Sequence, residues 1–201
     1  MMATTHALWG MVLALPALAI APELAPIALV AGFVGGLVPD LDLYTGHRKT
    51  FHYPVYASIA AVPALTLALL APSTLTVALG VGLAAAALHA VADVFGGGLE
   101  LRPWEGTSER AVYSHYHDRW VRPRRWIRYD GAPEDLALAG FAAVPLAATG
   151  TRPVTAVVLA FVTVSAVYVL LRRHLAGVAE RLVALIPDSL FPYLPARYRR
   201  A

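Results

Sequence analysis

Long apolar runs broken by short polar segments set the pattern of this chain. The runs are Ala7 to Ala21, Ile27 to Val38, Val55 to Leu70 and Leu75 to about Val94, then, beyond a polar stretch over 95–135, Leu136 to Ala148 and Val154 to Leu171. Runs of this kind, nearly free of charge, predict membrane-crossing helices, a full span needing roughly 20 apolar residues. Pro22 to Pro26, Pro72-Ser73 and Gly150 to Pro153 supply turns between them. The expected fold is therefore all-α, a polytopic bundle of about six transmembrane helices. After it, Leu175, Val178, Leu182 and Leu185 recur at helical spacing within His174 to Ile186, which predicts an amphipathic helix lying at the interface. The division that follows is an integral-membrane domain over 1–171, with polar segments at 39–54 and 95–135, and a basic tail over 172–201.

The first run ends in small-residue strings that resemble signal-peptide cleavage sites, Ala17-Leu18-Ala19 and Ala19-Ile20-Ala21. No Lys or Arg precedes it, so it reads as a retained helix.

Composition agrees. Of 201 residues 58% are hydrophobic and only 14% charged, with a mean hydropathy of +0.61, outside the balance of a soluble domain. There is no cysteine, which excludes disulfides and thiolate metal sites and leaves His, Asp and Glu as the only strong ligands. With the N-terminus in the cytoplasm, Arg152 alone of 16 Lys and Arg lies outside, as the positive-inside rule requires. The expected location is the cell membrane, multi-pass, with both termini cytoplasmic.

That topology gathers the chemically able residues on one membrane face. His6 precedes the first run, Asp40, Asp42, His47 and His52 follow the second, and His89 and Asp93 close the fourth. His89 and Asp93, four apart, share one helix face. Asp40 and Asp42 can face one ion only if Pro39 breaks the helix there. Oxygen and nitrogen donors of this kind suit a divalent metal, zinc first and manganese as the alternative, in one or two ions. The plainer reading is that Asp and His tie helix ends together by hydrogen bonds.

In the segment 95–135, Trp104, Trp120 and Trp126 alternate with Arg102, Arg119, Arg122, Arg124, Arg125 and Arg128. Such a mixture anchors helices at the headgroups, with membrane lipids as partners and no nucleic acid expected. His115-Tyr116-His117 is a secondary ligand candidate.

The order Thr5-His6 with Gly10, Pro39-Asp40-Leu41-Asp42, His47-Arg48 through His52, and His89-Ala90-Val91-Ala92-Asp93, then a glycine-rich turn and Arg102-Pro103-Trp104, resembles the YdjM-like family of membrane-bound, metal-dependent hydrolases. The resemblance covers about the first hundred residues. It implies that His6, Asp40, Asp42, His47, His52, His89 and Asp93 are the metal and catalytic positions. Leu43 stands where that family often has histidine, and Lys49-Thr50-Phe51-His52-Tyr53 departs from its usual string, leaving His115 or His117 as sources of a missing nitrogen. The expected activity is hydrolysis of a phosphoester or ester, anionic or lipid, by a metal-activated water. In it Asp42 and His47 serve catalysis, and Arg48 or Lys49 steadies the developing anion. The competing expectation is a non-catalytic scaffold or ion-handling protein with a structural metal site; the oligomeric state stays open.

Overall fold

In the computed structural model, residues 1–195 and 198 are described, so the end of the basic tail lies outside the described residues. The helices are α1 (Ala3–Leu13), α2 (Pro16–Ile20), α3 (Ala25–Leu37), α4 (Leu43–Gly46), α5 (Pro54–Leu70), α6 (Thr74–Ala92), α7 (Pro133–Ala147) and α8 (Arg152–Val183). Proline opens several of them, at a position where its missing N–H costs nothing. Ser73 caps α6 by accepting from Thr76 N at 3.2 Å, while Thr76 Oγ1 accepts from Ser73 N at 2.9 Å.

Among the described residues four stretches are long and apolar enough to cross a membrane: Ala3–Ile20, Pro22–Gly46, Thr74–Phe95 and Arg152–Val183. The expected count was six. Helix α5 is apolar but has 17 residues, and α7 has 15. At 1.5 Å per residue both are shorter than the roughly 30 Å hydrocarbon core.

The bundle closes through glycine. A Cβ on Gly10 would strike the carbonyl of Gly32 and the reverse, so α1 and α3 touch backbone to backbone; Gly35 meets the Gly82 carbonyl of α6 in the same way. Close approach of this kind replaces the hydrophobic drive that lipid removes. Around it, Leu8, Met11, Ala142, Leu146 and Val158 join α1, α7 and α8, while Ala14, just past α1, packs with Ala28, Ala68, Val77 and Val81 of α3, α5 and α6.

Three boundaries differ from expectation. Helix α1 begins at Ala3, so His6 lies inside it; the polar Thr4 and Thr5 that concealed its start are satisfied by Ser165 Oγ and Asp135 Oδ1, both at 2.7 Å. Helix α8 runs unbroken to Val183, so that among the described residues the stretch after Leu171 continues α8 instead of forming a separate amphipathic helix. The charged string Arg172-Arg173-His174 does not end it, because Arg172 turns inward to Asp130 and Arg is a good helix former. The segment 95–135 contains a hairpin of β1 (Val112–Ser114) and β2 (Arg119–Val121), antiparallel, with Tyr113 opposite Trp120.

Candidate metal centre

Pro39 turns the end of α3 into a 3-10 stretch, Val38–Asp42, and this change of winding sends the two aspartates to different tasks. Asp40 joins His52, His89 and Asp93: one donor atom from each lies within 4.8 Å of all the others, a group able to hold a metal ion. His89 and Asp93 come from the end of α6, and His52 from the loop before α5.

The hydrogen bonds settle what these atoms present. His52 Nδ1 lies 3.0 Å from Asp42 Oδ2 and His89 Nδ1 lies 2.7 Å from the Gly36 carbonyl. Both partners are acceptors, so each Nδ1 carries a proton, and in the neutral form of each ring Nε2 presents a lone pair. Those Nε2 atoms face one another at 3.2 Å. Asp40 Oδ1 is 3.5 Å from His89 Nε2, and Asp93 Oδ2 is 3.4 Å from His52 Nε2 and 3.6 Å from His89 Nε2. Four donor atoms around one point, three of their side chains almost wholly buried, suit a cation. Burial alone would push the His52 imidazole down; the carboxylates of Asp42 and Asp93 outweigh it and hold its pKa above the ordinary value. The same negative potential attracts a metal ion.

Asp42 does different work. It is fully buried and its two oxygens accept from the backbone N–H groups of Arg48, Lys49 and Phe51 at 3.1–3.3 Å, as well as from His52 Nδ1. His47 Nδ1 adds a contact at 3.1 Å. Asp42 is thereby the knot around which residues 47–52 are wound, and it lies outside the four-residue group. His47 Nδ1 is 4.0 Å from Asp40 Oδ1, while His6 Nε2 is 3.1 Å from Asp93 Oδ1 and its ring stacks on His89 at 3.7 Å between centroids. Met1 N also meets Asp93 Oδ1, at 2.6 Å.

Arg48 closes the assembly. Its φ of 59° is rare for a residue with a side chain. The buried guanidinium donates to the Gly97 carbonyl at 2.8 Å. Its Nε comes within 3.2 Å of Asp93 Oδ2, an approach of opposite charges without hydrogen-bond alignment that leaves both atoms without a hydrogen-bond partner.

His115 and His117 do not join the group. His115 Nε2 donates to the Lys49 carbonyl at 2.7 Å, and His117 Nδ1 pairs with Ser114 Oγ at 2.9 Å. Lys49 is exposed, with Nζ over the Tyr113 ring at 4.1 Å.

A cavity of about 460 Å³ opens beside the cluster, lined by Asp40, His47 and Arg48 and also by Asp130 and Tyr168. Asp130 is fixed there by Tyr168 Oη at 2.7 Å and by Arg172 Nε at 3.2 Å. Burial pushes the Asp130 carboxyl up, but Arg172 and Tyr168 outweigh it and hold it below the usual range. Sequence spacing missed this wall; its one signal is Tyr168 and Arg172, four apart on α8 and therefore on one face. It also missed the Gly36 and Gly97 carbonyls, since backbone acceptors leave no mark in residue identity.

Compared with known protein families, with characterised proteins and with solved structures, the chain finds no match.

Proposed function

We propose that this chain is an integral-membrane, metal-dependent hydrolase of a phosphoester or ester, working at the membrane face where α1, α5 and α7 begin and α3, α6 and α8 end. The observation that carries the reading is the pair of Nε2 atoms, 3.2 Å apart, framed by Asp40 and Asp93. Asp40, His52, His89 and Asp93 hold one ion; zinc fits the two-nitrogen, two-oxygen set, and manganese is the alternative. One ion suffices because the Asp42 oxygens are already taken by N–H donors. The order of motifs that resembles the YdjM-like hydrolases supports the same activity.

Bound there, the metal supplies a water acidified toward neutral pH. His47 lines the cavity with Nδ1 turned to Asp42, and in this reading it is the general base. Arg48 faces developing negative charge, and His6 keeps Asp93 in place. Leu43, Leu99 and Val164 give the cavity an apolar side, which supports a lipid substrate. Six crossings, the two short ones met by local thinning of the bilayer, put both termini and the site in the cytoplasm by the distribution of Lys and Arg.

A second reading has one observation in its favour. Asp40, His52, His89 and Asp93 offer four donor atoms, and four protein ligands would fill a zinc site and leave no position for water, as in a structural site of a scaffold or ion-handling protein. Assay of the reconstituted protein on phosphoester and carboxylester lipids separates the two. The hydrolase reading expects turnover abolished by chelator and restored by zinc or manganese. It also expects His47→Ala to lower turnover by about 10²–10⁴-fold with metal content unchanged. Turnover that is absent across the panel, or indifferent to chelator, overturns it.

A further inference from the structure

The hairpin of β1 and β2 is tied to the metal loop and to the lipid-facing side of α5 at the same time. Toward the loop, Tyr113 N donates to the Arg48 carbonyl at 2.9 Å, and His115 Nε2 to the Lys49 carbonyl at 2.7 Å. These bonds grip the residue held at positive φ and its neighbour, whose own N–H groups point to Asp42. Toward α5, Tyr53 stacks on His115 at 4.5 Å, and the Tyr116 ring lies 6.1 Å from Tyr56. Tyr56 begins an exposed stripe that continues through Ile59 and Val62, an apolar face suited to lipid. Lipid against that stripe would put the tip of the hairpin at the depth of the aromatic belt.

The charge on this surface is one-sided. Lys49, Arg110, Arg119, Arg122 and Arg124 are exposed, against Glu109 and Asp118. Glu109 is engaged by Arg122 at 3.1 Å and Arg125 at 3.6 Å, and Asp118 by the Tyr113 hydroxyl. Arg119 and Arg124 have no carboxylate in ion-pair range among the described residues. Aromatic rings at the interface with unneutralised arginines beside them fit anionic headgroups in the same leaflet.

We propose that the hairpin and its flanks over 109–124 are a binding surface for anionic phospholipid headgroups, and that a bound headgroup braces the loop Arg48–Phe51 through the two strand-to-loop hydrogen bonds. This is independent of turnover and of metal, so it can fail while the hydrolase reading stands, and the reverse.

The test uses full-length protein in nanodiscs of phosphatidylcholine alone, or of phosphatidylcholine and phosphatidylglycerol at about 3:1, where each cation near the surface is worth roughly fivefold in binding. In a variant keeping Trp120 as its one tryptophan, brominated phosphatidylglycerol quenches fluorescence more than brominated phosphatidylcholine. The triple variant Arg110→Gln, Arg119→Gln, Arg124→Gln loses that preference. In the unsubstituted chain, amides 48–51 exchange with deuterium several-fold more slowly when phosphatidylglycerol is present, and the triple variant shows no difference. Equal quenching by the two lipids overturns the binding surface; equal exchange in the two nanodiscs overturns the bracing. The lipid comparison in the unsubstituted chain answers both questions even if the triple variant misfolds.

Discussion

His89→Ala is expected to leave the protein nearly free of zinc, with an affinity lower by about two to three orders of magnitude if the roughly 10–16 kcal/mol of a structural zinc site is shared over four ligands. His52→Ala is expected to match it. Asp42→Asn behaves differently. It keeps all four ligands but turns an acceptor into a group that also donates toward His52 Nδ1 and the 48–51 amides, so affinity falls only by about 10–100-fold. Metal analysis of the three purified variants, with zinc competition against a chelator of known affinity, reads the grading directly. Equal zinc in His89→Ala and the unsubstituted protein removes His89 from the site. A complete loss in Asp42→Asn shows that Asp42 ligates the ion, as the sequence reading had it.

The second large effect lies away from the chemistry. Gly32→Val places a branched side chain where the Gly10 carbonyl stands. Because the obstacle is backbone, no rotamer relieves it, and α1 must move from α3 at a cost of about 3 kcal/mol, the upper end for overpacking. Since α1 carries His6 and the carbonyl of Gly36 on α3 orients His89, metal affinity falls along with stability. Gly140→Ala is the control: nothing lies within 4 Å of its added Cβ, and in mid-helix it is expected to be neutral or to stabilise by about 0.5–1 kcal/mol. Thermal unfolding in detergent distinguishes them. A Gly32→Val protein with the stability of the unsubstituted chain contradicts the backbone contact.

How much of this was legible in the sequence varies with the kind of signal. Apolar runs located the helices because lipid demands continuous apolar faces. They misplaced the start of α1, where Thr4 and Thr5 are polar yet satisfied inside the bundle, and the end of α8, where Arg172 is charged yet buried against Asp130. In both places the decisive partner lies more than forty residues away. The strands β1 and β2 are three residues each, too short to establish an alternation. At the site, spacing brought His89 and Asp93 onto one face and identified Pro39 as the break that frees Asp40. It treated Asp40 and Asp42 as equivalent, because two carboxylates two positions apart look alike until the winding of Val38–Asp42 separates them. His52 and His47 were equivalent for the same reason, and the Asp42 knot tells them apart: His52 turns Nε2 to His89, whereas His47 lines the cavity.

The central claim, that Asp40, His52, His89 and Asp93 hold one divalent ion, is tested most directly by zinc X-ray absorption on full-length protein loaded with one equivalent of zinc. The result predicted is two imidazole nitrogens and two carboxylate oxygens at about 2.0–2.2 Å, with imidazole scattering lost in a His52→Ala, His89→Ala double variant. A spectrum with oxygen neighbours alone, or one unchanged in that variant, would contradict it.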